Sequence, residues 1–274
     1  MSAAAPAREP VSVCVLACDE AHELERCLAA VEWADDIVVV VDAKSRDGSL
    51  AVAERRASRV EVRAYQGDVD QKRHAVSLAK HDWALIVDPD EVVTPALARS
   101  IRGALAEALR SPGIAGYELD RVTWHLGRWI RHGDFYPDWK LRLFRRSQAR
   151  FVGRDPHGRV EVRGGVARLA GALEHYSYRD LADQIARIQF FSGEAAAALE
   201  QVGVRVGLRH LVLHPPARFL RCYVMKRGLL DGVPGFVIAV ASAFYVFLKY
   251  AKLWERTRAR RSPPPPSAPI VGRS

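Results

Sequence analysis

Cysteine is scarce: four residues in 274, and Cys14, Cys18, Cys27 and Cys222 form no CxxC pair. That excludes a disulfide-framed secreted domain and gives no support to a zinc centre, so the thiols are expected to be reduced and inert. The opening MSAAAPAREP lacks the long apolar core of a signal peptide, so the catalytic part of the chain is expected to stay in the cytoplasm. No helix-turn-helix, zinc finger or RNA-binding motif is present, and the reading is no nucleic acid partner, despite a formal net charge of +9. A glycine-rich phosphate loop is also missing after the first apolar run, where CDEAHE stands instead. This counts against nucleotidyl transfer to a sugar phosphate. The excess of Lys and Arg, 41 against 32 acids, keeps anionic lipid and phosphorylated small molecules as candidate partners.

What is present is an ordinary globular composition, 49% hydrophobic and 27% charged, enough for one large domain or a domain with an appendage. Short β-branched apolar runs at Val11–Ala17, 37–41 and Trp83–Val87 alternate with helical spacing at 24–31, 50–57, 71–80 and from Pro95 to about 109. Thr94 is placed as the N-cap of that last helix, with Pro95 at its first position. Continuous rather than alternating apolar strands predict an α/β fold with a doubly wound, mostly parallel sheet covered on both faces. From 116 to 178 short β-like pieces with aromatic and basic residues between them predict an antiparallel extension. Residues 1–10 are read as a flexible N-terminus, 11–180 as a catalytic domain, 181–254 as a helical membrane-associating region and 255–274 as a basic, Pro-rich disordered tail.

Sheets of this class bind ligands beyond the carboxyl ends of their strands. Asp19 and Glu20, Asp42, and Asp88 and Asp90 all stand at such ends. In LIVDPDEVV, Asp88 and Asp90 are two residues apart, so in extended geometry both point to one side. Two carboxylates there suit a divalent cation, Mg²⁺ or Mn²⁺, with an open face toward a diphosphate. The bland alternative is a solvated strand-to-helix turn. Glu91 has no assigned role. Alternation puts Arg142 with Lys140 and Phe144, either as a clamp on a diphosphate or as part of a solvated basic edge strand.

The run 233–248 carries no charge. As a helix it is roughly 24 Å long against a hydrocarbon core of about 30 Å. A buried core helix, an interfacial or re-entrant segment and a true span are the three readings. The basic flank, Lys249, Lys252 and RTRARR, suits an anionic cytoplasmic leaflet.

Taken in order, CDEAHELERCL, VEWADDIVVVVDAKSRDGS, QKRHAVSLAKHDWALIVDPDEVV, LGRWIRHGDFYPDWKLRLFRR and SAFYVFLKYAKLW resemble the family 2 glycosyltransferases. The likeness is to the branch that extends the lipopolysaccharide core, typified by β-1,4-glucosyltransferases, over about residues 11–254. It implies an inverting, metal-dependent transfer from a nucleotide-sugar, UDP-linked by the family habit, to a lipid-anchored or core-saccharide acceptor. The enzyme would sit at the cytoplasmic face of the inner membrane, peripheral or re-entrant at the membrane surface. By the same resemblance Glu20 and Asp42 hold the nucleoside, and Asp47 supports their turn. Gln71 and Lys72 face the nucleotide, Asp88 and Asp90 form the DxD with Asp90 the principal metal ligand, and Asp138 is the general base. An aromatic pocket of Phe135, Tyr136 and Trp139 is expected to raise the pKa of Asp138. His157 is either a third metal ligand or a structural histidine.

The chain departs from the family habit at Asp19, where Asn is usual, at Lys44, Arg46 and Arg73, and at Gly158, where Glu is usual. These departures touch donor specificity more than reaction class. Two competing readings are a nucleotidyltransferase acting on sugar phosphates and a non-catalytic membrane-associated binding module of the same fold.

Overall fold

The computed structural model of the chain describes residues 7–110, 113–153 and 158–258. His157, most of the Pro-rich tail and the first six residues lie outside them. The described residues form two compact units, one within 1–129 and 135–177, the other within 130–134 and 178–274.

The first unit is built on one sheet. In chain order it contains β1 (Val11–Ala17), α1 (Ala21–Ala29), β2 (Asp36–Asp42), α2 (Ser49–Arg56), β3 (Arg59–Arg63), α3 (Asp68–Leu78), β4 (Trp83–Val87), β5 (Glu91–Val93) and α4 (Pro95–Ala108). Then come β6 (Ile114–His125), β7 (Arg128–Trp129), β8 (Trp139–Arg145), β9 (Ala149–Val152), β10 (Arg159–Val162) and β11 (Gly165–His175). The strand order is β3-β2-β1-β4-β8-β6-β11-β5, with β7 beside β6 and a separate β9–β10 ribbon.

The first four strands in that order are parallel. Their side chains alternate between two cores, as a sheet covered on both faces requires. Val11, Val13, Val15, Val39, Val41, Leu85 and Val87 face the core under α1, α2 and α4. Cys14, Val38, Val40, Ala84 and Ile86 face the opposite core, where Ala75, Val76 and Ala79 of α3 and its end pack. Helices therefore cover both sides, which makes the sheet doubly wound. Thr94 caps α4 as the sequence implies: its Oγ1 accepts from the Leu97 N–H at 3.2 Å. Leu97, Ala98, Ile101, Leu105 and Ala108 then recur at helical spacing on the buried face.

Beyond β4 the sheet turns antiparallel, with β8 running against both β4 and β6. β6 and β11 are parallel, however, joined by the crossover through β8 to β10. The extension is thus mixed rather than wholly antiparallel. β8 lies between two strands, so the edge-strand reading of RLFRR does not hold.

The second unit contains α5 (Leu181–Gln201), α6 (Leu208–Val212), α7 (His214–Leu220) and α8 (Gly232–Thr257). α8 is about 39 Å long. It packs on one side only: Gly235, Ile238, Ala239 and Leu253 are buried, while Val233, Phe236, Val240, Phe244, Phe247 and Trp254 are exposed. Those exposed positions recur every three or four residues, apart from one seven-residue step at the end, and form an apolar stripe. With Val233 at 75% exposure, α8 is not an enclosed core helix. Among the described residues, Gly228–Thr257 is one helical stretch long and apolar enough to cross a membrane by length and composition.

Candidate active site

The site is assembled where β1, β2 and β4 end. The first two turns are laced together by carboxylates. Asp19 adopts φ +54°, a left-handed conformation that Asp tolerates better than most side chains. Its Oδ1 accepts from the backbone N–H groups of Arg46, at 2.6 Å, and Asp47, at 3.2 Å. Asp47 answers by accepting from the Ala21 N–H at 2.8 Å, at the start of α1, and from Ser49 Oγ at 2.6 Å. Asp42 accepts from the Lys44 N–H at 3.0 Å. Arg46 and Lys44 thus enter the turn through their backbones, which suits the departure from small residues there.

Glu20 sits among other acids. Burial, and then the charges of Asp90, Glu23 and Asp88, push its carboxyl up to about 7. A carboxylate so disfavoured is relieved by a cation.

At the end of β4 the chain leaves extended geometry. Asp88 follows the last strand residue, and Pro89 and Asp90 form a turn before β5. The expected same-side geometry is therefore not formed, and the two carboxylates have different partners. Asp88 Oδ1 contacts Lys72 Nζ at 3.1 Å, and Oδ2 accepts from Arg142. Burial opposes its charge, but Arg142 and Lys72 outweigh burial and hold the carboxyl well below the usual range. Asp90 Oδ2 stands 3.4 Å from His175 Nε2. The other ring nitrogen, Nδ1, lies 3.1 Å from the Thr123 hydroxyl, and the Tyr176 N–H donates to the Asp90 carbonyl at 2.9 Å.

Arg142 is also bonded to Glu91, at 2.7 Å. Glu91 is fully buried, accepts from the Asp88 N–H at 3.0 Å, and contacts Arg121 at 3.2 Å. Arg121 in turn reaches Asp138, at 2.6 Å, and Lys140 closes on the other oxygen of Asp138 at 2.9 Å. An unbroken alternation of charge therefore runs Lys72, Asp88, Arg142, Glu91, Arg121, Asp138, Lys140. Each buried charge in it has an opposite neighbour, as desolvation demands.

Arg142, expected at a diphosphate, is bonded to Asp88 and Glu91. The network corrects one expectation. Asp138 is not raised: burial pushes its pKa up, but Arg121 and Lys140 outweigh that and hold it below the ordinary carboxylate value. The aromatic side chains face elsewhere: Phe135 packs on His125, the Tyr136 hydroxyl donates to Asp120 at 3.0 Å, and Trp139 lies under Arg168. Gln71 is buried and bonded to Arg63, so it supports the α3 side of the site indirectly. Lys72, by contrast, bridges Asp68 and Asp88. At Gly158 a side chain would overlap Val69, which accounts for glycine there.

Three residues without an assigned role in the sequence prove central: Glu91, Arg121 and His175. Glu91 carried a signal, the third acid to follow a fully apolar run. The partners of the other two come from distant strands.

Among the described residues no group of three or more His, Cys, Asp or Glu is arranged to hold a metal ion. Asp90 and His175 nonetheless offer one carboxylate and one imidazole, the latter held at its other ring nitrogen by the Thr123 hydroxyl. A Mg²⁺ or Mn²⁺ ion bound through few protein ligands, with substrate phosphates completing its shell, fits this donor set.

Residues 12–170, more than half of the chain, match the family model described as Glycosyl transferase family 2. An uncharacterized glycosyltransferase of Rickettsia conorii is 28% identical over 257 residues, covering 90% of each chain. The lipopolysaccharide core biosynthesis glycosyltransferase LpsC of Rhizobium meliloti is 26% identical over 261 residues, covering 93% of this chain and 95% of LpsC. Among solved structures, that of S. aureus TarS 1-349 in complex with UDP matches at a TM-score of 0.43 and 13% identity, covering 92% of each chain.

Proposed function

This chain belongs to glycosyl transferase family 2, and from that premise we propose that it transfers a sugar from a UDP-sugar to a core-saccharide or lipid-linked acceptor, with inversion. The observation that carries the reading is the Asp90–His175 pair, 3.4 Å apart at the end of β4 and close enough to the Glu20 carboxylate for Asp90 to raise its pKa. Here an acid-rich strand end meets an oriented imidazole, which suits a divalent cation and a diphosphate.

Asp90 and His175 would hold Mg²⁺ or Mn²⁺. The cation would supply charge stabilisation to the departing nucleoside diphosphate. Glu20 and Asp42, at neighbouring strand ends, hold the nucleoside, and Asp47 fixes the turn between them. Lys72 offers a point charge to phosphate while holding Asp88. Asp88, its charge spent on Lys72 and Arg142, keeps the strand end in place rather than ligating. Asp138 takes the proton of the acceptor hydroxyl as that oxygen bonds to the anomeric carbon and the bond to the diphosphate oxygen breaks. Its lowered pKa keeps it ionised, and therefore able to accept, throughout the neutral range.

The relationship to LpsC supports a core-saccharide acceptor. The exposed apolar stripe of α8 with its basic flank supports a location at the cytoplasmic membrane face, held peripherally or by a re-entrant segment. Incubation of the full chain with UDP-hexoses and deacylated rough-type lipopolysaccharide tests the reaction. UDP release with a product of inverted anomeric configuration by NMR is expected. Pyrophosphate release from a nucleoside triphosphate with a sugar phosphate, or a retained configuration, would overturn it.

A further inference from the structure

Tyr176 immediately follows His175, and Trp124 immediately follows Thr123, the residue that orients His175. The aromatic side chains of these two neighbours belong to one continuous cluster. Trp124 and Trp129 are directly opposed across the β6–β7 pair, with ring centroids 5.2 Å apart and edge to face. Trp129 meets Tyr176 in the same way at 5.5 Å. The guanidinium of Arg26, on α1, lies 3.7 Å over the Tyr176 ring, and the Tyr176 hydroxyl donates to Glu174 at 3.0 Å.

From this arrangement we infer that the β6–β7 hairpin and Tyr176 form a saccharide subsite, a platform for a pyranose of the acceptor beside Asp90 and His175. The inference rests on the proposed function and names the acceptor-binding part of that same site. Pyranose rings present one face of C–H groups and a rim of hydroxyls. Flat aromatic rings meet the first, and convergent polar groups such as Glu174 and Arg26 meet the second.

The hairpin is built in a way that folding alone does not ask for. β7 has two residues and lies off the main strand order. Its turn places both Leu126, at φ +49°, and Gly127, at φ +82°, in the left-handed region, as a two-residue hairpin requires. Glycine takes that conformation freely, whereas a leucine there is strained by its Cβ. The cross-strand tryptophan pair offsets that strain. Even so, Trp124 remains 37% exposed and Leu126 39%. An aromatic surface partly in solvent, and joined to the candidate cation ligands through the Tyr176 N–H, 2.9 Å from the Asp90 carbonyl, is placed for a ligand rather than for a core. A membrane contact fits less well: the long apolar stripe lies on α8, and this cluster is tied to Asp90 through the Tyr176 N–H.

The test uses the full chain with Mn²⁺, and deacylated rough-type lipopolysaccharide as a core saccharide without acyl chains. Its binding is followed by tryptophan emission, with and without UDP. Saturable binding is expected. It should weaken about ten-fold in Trp124→Ala and at least as much in Trp129→Ala, with UDP affinity within two-fold of wild type. If Trp129→Ala also loses UDP, its fold is compromised and Trp124→Ala decides. No saturable saccharide binding by the wild type, or unchanged affinity in Trp124→Ala, overturns the inference. So does loss of sedimentation with phosphatidylglycerol vesicles in that variant while saccharide affinity holds, which would assign the hairpin to the membrane. UDP binding without saccharide binding sinks this subsite and leaves the donor reading standing; saccharide binding without UDP binding does the reverse.

Discussion

Arg121 grips Asp138 side-on, with Nε donating at 2.8 Å and Nη2 at 2.6 Å from the same carboxylate oxygen. The candidate base is thereby tied to the fully buried Glu91 and, through Arg142, to Asp88 at the donor side. Geometry and protonation of the acceptor side thus depend on charges that begin at the strand end where the diphosphate is expected.

Removing Arg121 changes when Asp138 loses its charge. The folded pKa of Asp138 is depressed, so the ionised form, and the stability it contributes, is present at neutral pH and lost as pH falls through the folded value. Without Arg121 that value rises. In Arg121→Met the acidic limb of the kcat–pH profile should move to higher pH by roughly one unit. A limb that stays in place would detach Asp138 from the pH dependence.

Glu91 is predicted to be structural. Its loss leaves Arg142 and Arg121 each short of a buried partner, and breaking buried pairs of this kind costs about 3–5 kcal/mol. Urea unfolding of Glu91→Ala at pH 7 should show a loss of that order. Glu91→Gln, which keeps an accepting oxygen, should lose less. A loss under about 1 kcal/mol in the alanine variant would contradict the network.

Glu20 carries the opposite sign. Its folded pKa, about 7, lies above the ordinary value of 4.5, so the stability linked to its neutral form is present at low pH and lost as pH rises through 7. In EDTA at pH 8, Glu20→Gln should be more stable than wild type, on the order of 1–3 kcal/mol, and the difference should vanish near pH 4.5. Equal stability at both pH values would show that Glu20 is not strained by its neighbours.

The apolar stripe of α8 is predicted to act on location and not on donor binding. Phe244→Glu with Phe247→Glu places two charges on it, which lipid disfavours. Recovery with membranes should fall while UDP affinity is kept. Unchanged recovery would remove α8 from the membrane contact.

Much of the sheet was legible because β1, β2 and β4 are buried on both faces, so continuous Val, Ile and Leu runs leave few alternatives. Thr94-Pro95 was legible because a helix N-cap is a local event. What escaped depends on distance. Asp88 and Asp90 look alike in DPD, yet the turn at Pro89 and Asp90 sends them to different partners, Lys72 with Arg142 and His175. The environment of Asp138 is set by Lys140 and by Arg121, seventeen positions earlier on β6, so the neighbouring aromatic residues were a poor guide to its pKa. His175 gains its place through the pairing of β11 with two strands, β6, where it lies opposite Thr123, and β5, where it lies opposite Glu91.

The most direct measurement is calorimetric titration of UDP into the full chain with and without Mn²⁺, beside Asp90→Asn and His175→Ala. The account predicts binding that needs the metal and is weakened at least ten-fold in both variants. Metal-independent UDP binding that both variants retain, or no binding by a folded wild-type chain, would contradict it.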